Sequence, residues 1–163
     1  MTVSAIAAKS SANSRDRSDL DRAALHHVFG FMTSLADTRL RKAFFKHMEG
    51  LNLRPVEFTI IILLQTNELV TQKKLCQALD SPAPNLVVIL DRLQERSLIS
   101  RTRSEEDRRE QHIVLTESGQ ELATQARAIS KTMEQEVVSV LSAGEQLMLF
   151  ELLNKIAQGK EAG

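Results

Sequence analysis

The sequence predicts a mainly α-helical fold with one small β-hairpin, and three observations predict it. Apolar residues recur at helical spacing through most of the 163 residues. Over one stretch only, Ile99 to Leu115, that period gives way to alternation. A hydrophobic fraction of 42% excludes a disordered chain, and three Pro with six Gly exclude collagenous or glycine-rich architectures.

Residues 1–18 are small, polar and aperiodic, and read as a disordered tail. A first helix is expected from Asp19 to about Met48, with Leu20, Ala24, Phe31 and Leu35 on one stripe and Gly50 at its end. Pro55 suits the first turn of a second helix, in which Val56, Ile60, Leu63 and Leu64 share a face. The run Ile60-Ile61-Ile62 is β-branched and favours a strand, but stripe and length favour helix. Thr71 caps a short third helix carrying Leu75 and Leu79, and Asp80-Ser81-Pro82 breaks it. A fourth helix spans roughly Pro82 to Arg96. The hairpin follows, with Ile99–Arg103 and Ile113–Leu115 around a charged tip, Ser104–Glu110. Thr116 caps a long fifth helix whose stripe runs from Leu122 to Val140. Ser142 and Glu145 form a capping box that starts a sixth, ended by Gly159.

Other classes fall away on composition. No apolar run approaches the ~18 residues of a membrane span, and no signal peptide is expected. The single Cys76 fits a reducing, cytoplasmic location. With no Trp or Tyr, stacking of single-stranded nucleic acid would depend on six Phe. The zero formal charge is an average: residues 1–50 carry +3, 51–115 are neutral and 116–163 carry −3.

Two short helices with a four-residue break, followed at once by a charged hairpin, is the order of a winged helix-turn-helix. On the fourth helix, about 100° per residue puts Leu86, Ile89, Leu90 and Leu93 on the buried side. Ser81, Pro84 and Val88 then lie opposite, with Asn85 and Arg92 on one flank. Asn pairs with adenine and apolar groups meet the thymine methyl, so this face suits reading base edges. By itself Val88 could equally be an ordinary surface valine. The hairpin shifts the balance, because its arginines suit a wing entering a narrow minor groove, although a solvated loop of cancelling charges is the plain alternative. Asp107 cannot face phosphate and is expected to hold Arg109 in a bidentate pair. The candidate DNA-contacting residues are therefore Ser81, Ala83, Pro84, Asn85, Val88, Arg92, Arg103, Asp107, Arg108 and Arg109.

The run from Leu75 to Gly119 resembles the MarR family of bacterial winged-helix regulators. The matching pieces are Leu90-Asp91-Arg92-Leu93, Leu98-Ile99, Asp107-Arg108-Arg109, and Leu115-Thr116 with Gly119. Val88 stands where many relatives carry Arg or Lys, and Ser97 where a turn Gly is common. The resemblance implies a homodimer on a pseudo-palindromic double-stranded operator, usually a repressor released by a small effector. It implies a winged helix-turn-helix domain over 51–115 and a helical dimerisation region from 19–50 and 116–160. A phenolic acid or its coenzyme A thioester is the effector class suggested by analogy.

An anionic aromatic effector needs a cation or donor and an apolar wall. His26, His27, Phe31, Arg39, Phe44 and Phe58 are the candidates, although Phe at helical spacing is more often core. No cofactor and no metal are expected: the four histidines, 26, 27, 47 and 112, make no HxxxH pair. Redox or metal response is the alternative within the family, and a helical protein-interaction module the alternative outside it. An enzyme is not expected, since there is no Gly-rich phosphate loop, HExxH or GxSxG.

Overall fold

The structure is a computed structural model that describes residues 20–103 and 111–159. It falls into two compact units, Met1–Ala36 and Asp37–Gly163, with the division inside the first helix. In the first unit, helix α1 (Phe29–Met48) starts ten residues later than the sequence stripe suggests. The Asp21 carboxylate accepts from the Ala23 N–H at 2.9 Å and begins a 3-10 turn, Ala23–Leu25, instead. No described residue up to Ala36 is buried. A stripe of which Phe31 and Leu35 are only half-buried adds little to helix stability, so a local carboxylate cap decides the geometry at its start.

In the second unit the end of α1 supplies Phe44 and Met48 to the core. Gly50 is not the helix end; it sits within a 3-10 turn, Glu49–Leu51, and the chain turns at Asn52, which takes the left-handed φ of 47°. Asn tolerates that region better than most residues. Helix α2 (Pro55–Thr66) is packed by both α5 and strand β2, and both Ile60 and Ile61 are fully buried. Burial on two sides outweighs their β preference.

Helices α3 (Gln72–Ala78) and α4 (Ala83–Glu95) pack together and form the helix-turn-helix. Strands β1 (Ile99–Arg103) and β2 (Gln111–Leu115) pair antiparallel, from Ile99 opposite Leu115 to Arg103 opposite Gln111. The Ile113 N–H also donates to Val70 at 2.8 Å, which fastens the hairpin to the chain entering α3.

Helix α5 (Glu117–Ser130) crosses the base of the hairpin. There Gly119 is buried, and a Cβ on it would overlap the carbonyl oxygen of Leu98. The long fifth helix of the sequence reading is in fact interrupted. It ends at Ser130, a turn follows, and a short α6 (Gln135–Val138) precedes α7 (Ala143–Gln158). Ser130 and Thr132 turn their hydroxyls onto the carbonyls of Arg127 and Ile129, which competes with helix continuation. The same turn directs Met133 into the core. The capping box at Ser142 and Glu145 begins α7 as its spacing requires.

Candidate nucleic-acid interface

The turn between α3 and α4 is built by backbone geometry. Asp80 takes a left-handed φ of 45°, and the Ser81 N–H returns to the Cys76 carbonyl at 3.0 Å. Pro82 is the N-cap of α4, and its carbonyl accepts from Asn85 and Leu86. Pro84 lies in the first turn, where its missing N–H has no helical partner to lose.

Helix α4 is strongly two-sided. Leu86, Leu90 and Leu93 are fully buried, with Ile89 half-buried beside them. Ala83, Pro84, Asn85 and Val88 are exposed, Val88 at 70%, and Ser81 is half-buried at the turn. Val87, 38% exposed, broadens the apolar part of this face and was not among the sequence candidates.

Arg92 stands apart from the other candidates. Its Nε lies 3.2 Å from the carboxylate of Glu57, which is 1% exposed in the first turn of α2. Arg96 adds a second cation at 3.8 Å and donates to the carbonyls of Asn52 and Leu51. The other Glu57 oxygen accepts from the Arg54 N–H at 2.8 Å. Arg92 thus ties α4 to α2 through Glu57 while its side chain stays 32% exposed. Glu57 was missed in sequence, although a Glu at the third position of a helix opened by Pro is a recognisable cap signal.

A second tie runs from α4 to the hairpin. The Arg101 guanidinium donates to Asp91 at 2.5 Å, both side chains partly exposed. This fixes β1 beside the helix whose open face would read bases. The backbone closes the base of the same hairpin: Ser97 has a left-handed φ of 57°, and its carbonyl accepts from the hydroxyls of Thr116 and Ser118. Arg103 is exposed at the end of β1. Asp107, Arg108 and Arg109, and with them the expected Asp107–Arg109 pair, lie outside the described residues.

Of the effector candidates, Phe44 is corrected to a core residue, 5% exposed. Half-buried Phe58 meets it edge to face, with ring centroids 5.8 Å apart. His26 and His27 are exposed and Phe31 is half-buried in the first unit. Arg39 lines a cavity of about 330 Å³ with Lys42, Lys46 and Val137, and neither phenylalanine reaches it. An apolar cavity of about 270 Å³ lies between Leu40 and the residues of α6 and α7, including Val138 and Phe150. Among the described residues no cluster of three or more His, Cys, Asp or Glu could hold a metal, and no helix is long and apolar enough to cross a membrane.

The MarR family model matches residues 50–110. Among solved structures, the transcriptional repressor CouR on a 23-mer DNA duplex is 29% identical; the match covers 86% of this chain and all of that one, with a TM-score of 0.80. Residues 50–110 thus match the MarR family, and the chain as a whole is similar to a DNA-bound repressor. CouR bound to p-coumaroyl-CoA is 26% identical, covering 87% of this chain and all of that one, with a TM-score of 0.79. MepR of S. aureus in complex with DNA shares the fold at 23% identity and a TM-score of 0.72, covering 81% of this chain and 98% of that one. Both likenesses are to DNA-binding regulators rather than to enzymes. The helix-turn-helix, α3 and α4, and the first wing strand, β1, fall within the matched stretch, and β2 begins directly after it.

Proposed function

We propose that the protein is a homodimeric repressor that binds a pseudo-palindromic operator and leaves it when a small effector binds. The observation that carries this reading is the open face of α4, with exposed Pro84, Asn85 and Val88, braced to the wing by the Asp91–Arg101 pair. Asn85 would read adenine in the major groove, Val88 a thymine methyl, and Arg103, Arg108 and Arg109 the wing's groove and phosphates. Two such helices related by a twofold axis would sit about 34 Å apart, one helical turn of DNA. Exposed Leu147, Phe150 and Ile156 on α7, each 72% exposed, support a second copy as the cover for that helix.

The effector is proposed to be an aromatic acid or its coenzyme A thioester. Its support is the likeness to CouR, which has been seen with DNA and with p-coumaroyl-CoA. A gel-shift assay on the DNA upstream of the protein's own gene, challenged with phenolic acids and their coenzyme A thioesters, tests both halves. Binding to that DNA and release by one class of ligand are expected. No binding beyond that to random duplex removes the operator; binding that no panel member reverses removes the effector class.

A further inference from the structure

The sequence offered Arg39 as a lone candidate for an effector's charge. The structure puts it in company. Arg39, Lys42 and Lys46 are spaced i, i+3, i+7, so all three share one face of α1, and they line the same 330 Å³ cleft. The opposite wall comes from α6 and the turn after it, through Glu136, Val137 and Val140. Lys46 is already neutralised: both oxygens of Glu136 accept from its ammonium, at 2.8 and 3.1 Å. Arg39 and Lys42 have no ion-pair partner among the described residues. The cleft therefore carries a surplus of two positive charges. Beside them lies an apolar floor of Ala43, Val137 and Val140, the last 81% exposed.

A cleft of this kind asks for two chemistries in one molecule. Inorganic phosphate would satisfy the cations and leave the floor wet. An uncharged aromatic would cover the floor and leave the cations unmatched. We propose that the cleft binds the phosphate end of a phosphate-ester effector, with phosphoryl oxygens on Arg39 and Lys42 and the adjoining hydrocarbon on Ala43, Val137 and Val140. Arg39 would take two oxygens through its planar fork, and Lys42 would act as a point charge. The Lys46–Glu136 pair cancels one positive and one negative charge and leaves those of Arg39 and Lys42 for the ligand. This rests on the reading of the effector as a coenzyme A thioester and locates its phosphate-bearing half.

The test is calorimetric titration of the full-length protein, without DNA, using unacylated coenzyme A as the probe. Pantetheine, which lacks the phosphates, and inorganic phosphate are the comparison ligands. Arg39→Gln and Lys42→Gln are each expected to weaken coenzyme A about tenfold and leave pantetheine unchanged. Glu136→Gln removes the opposing charge and is expected to tighten coenzyme A, a gain that lost structure would not produce. Arg41→Gln, whose side chain pairs with Asp37, should change nothing.

Several results would overturn the proposal. Equal affinity of wild type for coenzyme A and pantetheine would show that phosphates are not read. Inorganic phosphate that competes at equal concentration would reduce the cleft to a simple anion site. Unchanged coenzyme A binding in both cation variants would place the ligand elsewhere. If those variants instead weaken ligand-free operator binding and flatten its salt dependence, the cations are DNA-phosphate contacts. Since the titration contains no DNA, it stands apart from failure of the repressor reading, which the release assay detects.

Discussion

Glu57 is the residue whose removal should tell most about how helix α4 is held. Its carboxylate lies 3.2 Å from Arg92 and 3.8 Å from Arg96. At an effective dielectric of about 20 these separations correspond to roughly 5 and 4 kcal/mol of gross attraction. Most of that is offset, because burying the carboxylate costs several kcal/mol and both arginines keep part of their water. Glu57→Gln preserves shape and an oxygen for the Arg54 N–H but removes the charge, and is expected to cost about 1–2 kcal/mol. Glu57→Ala also loses the cap and leaves a void, and is expected to cost about 3 kcal/mol. Urea unfolding at one fixed protomer concentration measures both, since the stability of the proposed dimer would depend on concentration. A double-mutant cycle with Arg92→Met should return a coupling of about 1 kcal/mol or more. A coupling near zero, with the Gln variant as stable as wild type, would refute the idea that this ion pair braces α4 on α2.

Four further outcomes are expected. Gly119→Ala should destabilise by about 2 kcal/mol in urea despite alanine's better helix propensity, because the new Cβ has no room beside Leu98; Gly144→Ala, with open space around it, should be neutral or stabilising, and the reverse order would refute the close-approach reading. Asn85→Ala should relax preference at one base per half-site by about 1–3 kcal/mol in a randomised-site selection, and an unaltered preference would remove Asn85 from base reading. Arg109→Ala should weaken operator binding by about 1–3 kcal/mol, and equal gel-shift affinity would take the wing tip out of the interface. The Ser142 hydroxyl, and then its backbone N–H, hold the Glu145 carboxyl below its ordinary value. A lowered folded-state value means the cap's contribution is present above the unfolded carboxylate range, about pH 4.3, and is lost as pH falls through the lower folded value. Protection of the amides at the start of α7, taken as exchange relative to the intrinsic rate at each pH, should therefore fall in acid, and Glu145→Gln should remove that acid dependence; an identical protection profile for wild type and variant would contradict it.

Much of the DNA-binding half was legible because its signals are local. Thr71 caps α3, Asp80-Ser81-Pro82 breaks it, and Leu86, Leu90 and Leu93 keep one face of α4 in the core. Capping, turn chemistry and periodicity act over a few residues, so a sequence displays them directly. The errors fall where a partner distant in sequence decides. Arg92 looks unpartnered on a helical wheel, but Glu57, 35 positions earlier, pairs with it. Phe44 looks like a binding wall until Phe58 and the core close around it. The stripe from Leu122 to Val140 reads as one helix, yet burial of Met133 and the hydroxyls of Ser130 and Thr132 stop it at Ser130.

By itself, then, the sequence determined the order of the elements up to α5, the hairpin and the two sides of α4. These follow from hydrophobic period and caps, whose physics is confined to one or two turns. Only the tertiary structure decided which cations stay open. Arg92, Arg96 and Arg101 are occupied by Glu57 and Asp91, while Arg39 and Lys42 face a cleft completed by α6. Charges are paired by distance in space and stabilised according to burial, and neither quantity is written along the chain.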